Sequence, residues 1–175
     1  VKLNVVVVRG VNDDELVDFA TFARTRPVVV RFIEFMPLDA QEAWTTGQVV
    51  TRDEILAAID AVYPLEPVGA DGNARPDDPA APAERFRFRD GVGEIGVIPT
   101  VSHAFCDTCD RIRLSADGQL RSCLFALESS DLREPLRAGA SDEDLVAIVE
   151  AAVARATPPG LRLPAHGRLH HPARW

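Results

Sequence analysis

Hydrophobic residues recur along the chain in two different periods, which predicts alternating strands and helices. Residues 2–8 contain the unbroken run Val5 to Val8, which is typical of a strand buried on both faces of a parallel sheet. Residues from Asn12 or Asp13 to about Arg24 carry apolar side chains at helical spacing. Residues 28–35 form the next apolar run. Strand, helix and strand in this order predict a βαβ unit.

The middle and end of the chain show further elements. Thr51 and Glu54 form a capping box, so a helix is expected from this point to residues 63–64. Residues 67–84 are rich in Pro, Ala, Asp and Gly, which favours a flexible loop. Residues 85–89 and 94–98 are predicted to pair as antiparallel strands, and this pair is expected to join the cysteine hairpin in a small α+β cap. Residues 132–138 and the segment capped by Ser141 are predicted helices.

One βαβ unit leaves apolar edges and faces that require further strands. The sequence also begins inside a strand and has no initiator Met. We therefore expect the chain to be the C-terminal piece of a longer barrel.

Composition narrows the classes of function. The formal net charge of −8 argues against a nucleic-acid-binding protein, which would present a basic face. No apolar run reaches membrane-spanning length, and no signal peptide opens the chain. The three cysteines lie in one motif, which fits a reducing, cytoplasmic compartment.

The strongest candidate chemistry lies in residues 105–125. Cys106 and Cys109 form a C-x-x-C step, and Cys123 follows thirteen residues later. Alternating residues around an Asp-Gly turn predict a hairpin that returns Cys123 toward the other two. Three thiolates at one end of a hairpin suit a metal centre. They would leave one position of a tetrahedral ion, or one iron of a [4Fe–4S] cluster, without a cysteine ligand.

Several interpretations of these cysteines compete. His103 would complete a Cys₃His zinc site of the kind that staples structural modules. A disulfide is disfavoured, because nothing indicates a small secreted scaffold and one thiol would be left over. A thioredoxin-type pair would need a βαβ unit around it. Arg111 and Arg113 favour a cluster with an open iron. They are two residues apart, so on a strand they would lie on one face, and a pair of cations beside an open iron would suit an anionic ligand. A solvated strand face is the plainer explanation of these arginines.

The motif C-x-x-C-x-R-x-R, followed by D-G and C-L-F, resembles the C-terminal cluster motif of the molybdenum cofactor biosynthesis protein A family. These proteins are GTP 3′,8-cyclases, which are lyases of the radical S-adenosylmethionine class. The segments VKLNVVVVRGVNDDE, VVVRFIEFMPL and GEIGVIPTVSHAFC resemble the same family in the same order. The resemblance covers about residues 1–135. It implies the last βα units of a partial (βα)₆ barrel, followed by a small α+β cluster-binding domain.

The resemblance also implies a reaction. A first [4Fe–4S] cluster cleaves S-adenosylmethionine, and the 5′-deoxyadenosyl radical takes hydrogen from the ribose of GTP. The ribose carbon then attacks guanine C8, giving 3′,8-cyclo-7,8-dihydro-GTP. An auxiliary [4Fe–4S] cluster binds GTP by its purine. The product passes to cyclic pyranopterin monophosphate synthase, and a homodimer is left open.

The family's residue roles carry over to matching positions of this sequence. Cys106, Cys109 and Cys123 would hold the auxiliary cluster. The residues expected to contact GTP are Lys2, Arg31, Arg111 and Arg113. Met36 matches a residue that contacts S-adenosylmethionine, although a lone Met after a strand is more often packing. The expected domains are the end of the barrel in 1–66, the loop 67–84, and the cluster and substrate domain 85–175 with a mobile tail, 158–175.

Two departures limit what the resemblance implies. The chain has no C-x-x-x-C-x-x-C for the first cluster, so we expect the isolated chain to be inactive. It also lacks the Gly-Gly ending of the family, and its His166, His170 and His171 are expected in an unstructured tail. A different radical S-adenosylmethionine enzyme that modifies peptides, with an auxiliary cluster of its own, is the remaining alternative. Binding of GTP rather than a peptide would discriminate between them.

Overall fold

The computed structural model describes residues 1–38, 44–69, 81–106, 109–126 and 128–155. These residues form two compact units, one that runs up to residue 108 and one that begins at Cys109. The predicted tail 158–175 and most of the predicted loop 67–84 lie outside the described residues.

The first unit is built on a five-stranded mixed sheet with the order β1-β2-β5-β4-β3. Strands β1, β2 and β5 are parallel, and β4 lies antiparallel to both β5 and β3. This arrangement confirms the predicted βαβ unit and the α/β class. Its elements are β1 (Lys2–Val7), α1 (Leu16–Thr25), β2 (Val29–Glu34), a 3₁₀ turn (Thr46–Gln48), α2 (Arg52–Asp60), β3 (Leu65–Pro67), β4 (Glu84–Phe88) and β5 (Glu94–Ile98).

One face of this sheet holds the core. Alternate residues of β1 and β2 are buried on it together with the apolar sides of α1 and α2. The prediction that β1 is buried on both faces is wrong, because Val6 on the opposite face is 45% exposed. Phe32 is fully buried and meets Phe19 of α1 edge to face, with ring centroids 6.4 Å apart. The residues that line this core include Val7, Leu16, Ala20, Val30, Phe32, Ile55, Ile59, Ile95 and Val97.

The start of α1 differs from the prediction. The helix begins at Leu16, because the side chains expected to cap it bond to the preceding turn instead. Asn12 Oδ1 accepts from the Val8 N–H at 2.8 Å, and Asp13 Oδ1 accepts from the Gly10 N–H at 2.7 Å. Asn and Asp serve turns and helix caps by the same chemistry, so the sequence pattern did not separate the two. By contrast, the capping box of Thr51 and Glu54 at α2 is confirmed.

Strands β4 and β5 pair antiparallel with each other as predicted, but they do not belong to the sheet of the cysteine hairpin, where they were expected. Strands β4 and β5 belong to the sheet of the first unit, where β5 lies parallel to β2. Most of β5 is buried, and a buried apolar strand satisfies its backbone best inside a sheet. The ends of the predicted loop are also strand, since Pro67 ends β3 and Glu84 begins β4.

The second unit is a three-stranded antiparallel sheet with two helices. Its elements are β6 (Arg113–Leu114), β7 (Gln119–Arg121), β8 (Ser130–Asp131), α3 (Arg133–Arg137) and α4 (Asp142–Ala154). The predicted hairpin is present as β6 and β7, and its Gly118 adopts a φ of 83°. Helix α4 packs on β7 and β8, where Leu120 and Ala152 are buried. Strand β8 was not predicted.

Within the described ranges, no helix combines the length and the apolar character that crossing a membrane requires. The three parallel strands agree with the end of an α/β barrel, but closure into a (βα)₆ barrel stays a prediction.

Candidate functional site

The cysteines are divided between the two units along the sequence. Cys106 ends the described part of the first unit, whereas Cys109 and Cys123 belong to the second, and residues 107 and 108 are outside the description. Each of the three thiols is free of disulfide bonding. Cys109 is exposed, and Cys106 and Cys123 are half-buried.

Cys109 is held next to a cation. The Arg111 guanidinium donates to Cys109 Sγ through Nε at 3.4 Å and through Nη2 at 3.3 Å. Partial burial raises the pKa of the Cys109 thiol. The backbone N–H and the guanidinium of Arg111 lower this pKa, and the charge of Arg113 lowers it by a smaller amount. Together these lowering effects outweigh the effect of burial. The net result is a Cys109 pKa below its usual value, which favours the thiolate that metals require.

Cys123 also acts as a hydrogen-bond acceptor. Its Sγ accepts from the Phe125 backbone N–H at 3.4 Å, one turn past strand β7. Hydrogen bonds to cysteine sulfur are among the means by which proteins tune Fe–S clusters. The donor set of Cys109 and Cys123 therefore fits soft-metal coordination.

Among the residues that the structure describes, no three His, Cys, Asp or Glu side chains converge as a metal site. The assembly of Cys106 with the other two cysteines therefore stays a prediction. His103, the alternative fourth ligand, lies in the first unit with its Nδ1 3.1 Å from Ser102 Oγ.

The hairpin carries a third arginine, Arg121, in addition to Arg111 and Arg113. Arg113 in β6 lies directly opposite Arg121 in β7. Side chains of directly opposite residues point to the same face of the sheet. Two positive charges in this arrangement destabilise the strand pair unless a negatively charged group lies nearby. The sequence could have predicted this pairing, because Arg113 and Arg121 lie at nearly equal distances before and after the Asp-Gly turn.

Lys2 and Arg31 lie on the same face of the first unit's sheet. Arg31 pairs with Asn4 in register, and Lys2 shares the Asn4 face because it lies two residues away. The Arg31 Nε donates to Asn4 Oδ1 at 2.9 Å. A Cβ at Gly96 would come within 3.2 Å of Arg31 Cγ, so the glycine makes room for this side chain. Asn4 is a polar member of this face that sequence reasoning missed.

Met36 follows β2 at the carboxyl end of the parallel strands. It is half-buried, and its carbonyl accepts from the Leu38 N–H at 2.8 Å. The neighbouring Phe35 carbonyl accepts from Trp44 Nε1 at 2.9 Å. The segment that leads to Cys106 leaves β5 at the same edge, where ligands of parallel α/β sheets usually bind. Lys2 lies at the opposite, amino-terminal end of β1.

Glu34 is the last residue of β2 and is held by donors from two other segments of the first unit. Its carboxylate is fully buried and accepts hydrogen bonds from the backbone N–H groups of Arg52, Val101 and Ser102. Ser102 Oγ donates to the same carboxylate. The signal in the sequence was an acidic residue within an apolar strand, but the partners are distant in sequence and could not be deduced.

The described chain thus combines a mixed α/β sheet with a hairpin unit that carries Cys109, Cys123 and three arginines, Arg111, Arg113 and Arg121. The chain belongs to the family described as Molybdenum Cofactor Synthesis C, whose profile matches residues 28–159.

Relatives agree with this assignment. The chain is 47% identical over 154 residues to a GTP 3′,8-cyclase of Moorella thermoacetica, covering 87% of this chain and 45% of the relative. It is 42% identical over 153 residues to a GTP 3′,8-cyclase of Streptomyces coelicolor, covering 87% and 43%. Human molybdenum cofactor biosynthesis protein 1 is 42% identical over 156 residues, covering 89% and 23%. The chain thus spans less than half the length of these relatives.

Proposed function

We propose that this chain is the C-terminal, substrate-binding part of a GTP 3′,8-cyclase, which converts GTP to 3′,8-cyclo-7,8-dihydro-GTP in molybdenum cofactor biosynthesis. In this proposal the sheet of the first unit ends the radical S-adenosylmethionine barrel, and the second unit, which begins at Cys109, carries most of the auxiliary cluster site. Membership of the family and the names of the relatives support the proposal.

The observation that carries it is the contact of Arg111 with Cys109. The same guanidinium that favours the Cys109 thiolate also brings positive charge beside the proposed metal centre. Arg113 and Arg121 add charge on the hairpin. This combination suits a centre that receives a nucleoside triphosphate, because Arg forks match phosphate oxygens.

Cys106, Cys109 and Cys123 would hold a [4Fe–4S] cluster, which supplies one open iron to orient the purine. Arg111 and Arg113 would bind and orient GTP beside it. Lys2 and Arg31 would add two cations from one face of the sheet, and Asn4 fixes the Arg31 side chain. Met36 would contact S-adenosylmethionine at the carboxyl edge of the strands.

The remaining parts of the proposal concern the complete enzyme. A second [4Fe–4S] cluster and S-adenosylmethionine would be supplied through a C-x-x-x-C-x-x-C segment that this sequence lacks. The product would be consumed by cyclic pyranopterin monophosphate synthase in the cytoplasm. A homodimer is compatible with this proposal.

Anaerobic reconstitution of the chain with iron and sulfide tests the cluster and its ligand. We expect a brown protein with about four irons per chain, the content of one [4Fe–4S] cluster. After reduction with dithionite, its electron paramagnetic resonance spectrum should change when GTP is added. The Cys123→Ser variant should lose the cluster, and the double variant R111Q/R113Q should keep iron but lose the response to GTP. An unchanged spectrum of the iron-loaded chain with GTP would contradict nucleotide binding.

A second assay addresses activity. The reconstituted chain, given S-adenosylmethionine and dithionite, should form no 5′-deoxyadenosine. Appreciable product from this chain alone would show that the missing segment is dispensable.

A zinc-stapled module is the second candidate, and one contact favours it. His103 Nδ1 bonds to Ser102 Oγ, which itself bonds to the Glu34 carboxylate. Metal-binding histidines commonly have their second nitrogen fixed in this way. Colourless protein with one tightly bound zinc, lost in H103A, would establish the staple instead of the cluster.

A further inference from the structure

Glu34 joins three separate segments of the first unit. It ends β2, two residues before Met36, and is fully buried. Its Oε1 accepts from the Arg52 N–H at 2.7 Å and from Ser102 Oγ. Its Oε2 accepts from the N–H groups of Val101 at 2.6 Å and Ser102 at 2.8 Å.

The four partners all act as donors, so a carboxylate that only accepts hydrogen bonds matches them fully. The Arg52 N–H belongs to the first turn of α2, where helix N–H groups lack partners within the helix and a negative charge is favoured. The other donors come from the segment that follows β5. Thr100 Oγ1 also donates to the Glu34 backbone carbonyl at 3.0 Å. Glu34 thus fixes residues 100–102, a few residues before Cys106.

This hydrogen-bond network also determines which ring nitrogen of a neutral His103 carries the proton. The Ser102 hydroxyl has one hydrogen, and it is given to Glu34. Ser102 Oγ can therefore only accept from His103 Nδ1, 3.1 Å away. A neutral His103 must then carry its proton on Nδ1, which leaves Nε2 as a free acceptor.

We propose that Glu34 is a positioning residue, which holds the segment from Thr100 to His103 so that Cys106 is presented for metal binding and His103 keeps its proton on Nδ1. The effect on Cys106 rests on the proposed cluster function. The effect on His103 does not depend on any metal.

The isosteric variant Glu34→Gln tests this arrangement. We expect its amide oxygen to accept from the N–H groups of Val101 and Ser102, whose positions the backbone fixes. The NH₂ group then faces the Arg52 N–H and Ser102 Oγ. Ser102 Oγ would then accept from the amide and donate to His103 Nδ1. We therefore expect the neutral tautomer of His103 to move its proton to Nε2.

The full chain without iron, labelled with ¹⁵N, reports the tautomer by long-range ¹H–¹⁵N NMR at about pH 8.5, above the usual histidine pKa of about 6.5. His103→Asn assigns the signal. Glu84→Gln is the matched control, because Glu84 bonds to the Arg52 side chain of the same helix turn but has no bond to residues 100–103 among its described contacts. E34Q should shift the tautomer and E84Q should not. An unchanged His103 in folded E34Q would overturn the proposal.

The same variants, reconstituted with iron and sulfide, test the effect on Cys106. E34Q should lose iron to a chelator about 10-fold faster than the wild type, as supporting residues around metal ligands typically contribute, whereas E84Q should not. If the wild type holds a cluster and E34Q retains it equally well, the effect on Cys106 is refuted. If the wild type holds no cluster, the proposed function fails, and the His103 signal alone decides the role of Glu34.

Ser102 provides a second test should E34Q fail to fold. Ser102→Ala removes only the hydroxyl and leaves the backbone bonds to Glu34 in place. It should abolish the preference of His103 for the proton on Nδ1, and Ser102→Thr should restore it. Equal His103 spectra in S102A and the wild type would contradict the proposal.

Discussion

At the scale of single residues, charge at the cysteine motif comes from side chains two and four positions along the chain. Arg111 bonds to Cys109 Sγ, and Arg113 adds a longer-range charge effect. These contacts lower the pKa of Cys109 even though partial burial acts against them. The motif therefore supplies both the thiolate and the positive charge around it.

Replacement of Arg111 by Gln should raise the pKa of Cys109. The variant keeps the backbone N–H but loses the guanidinium bonds and the charge. Alkylation of the iron-free chain by iodoacetamide at pH 7 should slow by roughly 2- to 5-fold, because solvent screening at this exposed thiol limits the effect. The measurement uses a background with Cys106 and Cys123 changed to Ser.

Arg113→Gln should have a smaller effect in the same direction, since Arg113 acts on Cys109 through its charge only. Arg137→Gln in α3 is the control and should leave the rate unchanged. A larger effect of R113Q than of R111Q would contradict the contact seen in the structure.

At the scale of elements, the hairpin that carries Cys123 depends on a glycine between two elements. Gly118 has a φ of 83°, and a Cβ there would come within 2.6 Å of Arg133 Cβ. Its carbonyl also accepts from the Leu132 N–H at 2.9 Å. The turn is therefore packed directly against the start of α3.

Gly118→Ala should destabilise the second unit more than Gly139→Ala. Both glycines have a positive φ, which costs another residue roughly 1–2 kcal/mol. Only Gly118 also faces a clash, and overpacking adds about 1–3 kcal/mol. Hydrogen exchange of the amides in β6 and β7, followed by mass spectrometry, measures the difference. Equal exchange in the two variants would show that the close approach to α3 carries no energy.

At the scale of the whole molecule, the sheet of the first unit separates stability from proposed chemistry. The face packed under α1 and α2 is apolar and buried, while the other face presents Lys2, Asn4 and Arg31. Changes to the first face should therefore act on folding, and changes to the second on ligand binding.

Phe32→Ala tests the buried face. Phe32 is fully buried, so its truncation should lower the free energy of unfolding by about 3–5 kcal/mol. Urea unfolding followed by the fluorescence of the buried Trp44, in a Trp175→Phe background, reports on this unit. Phe22→Ala, at a position 43% exposed on α1, is the control and should change stability by less than about 1 kcal/mol. Similar losses in both variants would contradict the assignment of the core.

Local patterns predicted most elements but not their partners. The β-branched run in β1, the Thr51 capping box and the Asp-Gly hairpin follow from rules that act over a few residues, and each is confirmed. The start of α1 was missed because Asn12 and Asp13 could either cap the helix or stabilise the preceding turn. The position of β5 was missed because strand pairing is decided by burial across the sheet, which short motifs do not encode.

The cysteine spacing, the arginines beside the cysteines and the family resemblance could be read from the sequence alone, because these depend only on residue type and order. The structure alone decided which side chains meet across long separations. The Glu34 carboxylate receives the N–H groups of Arg52, Val101 and Ser102, and Asn4 holds Arg31. Such contacts arise only when the sheet brings distant strands side by side, since a buried polar group must take whatever donors the fold places around it.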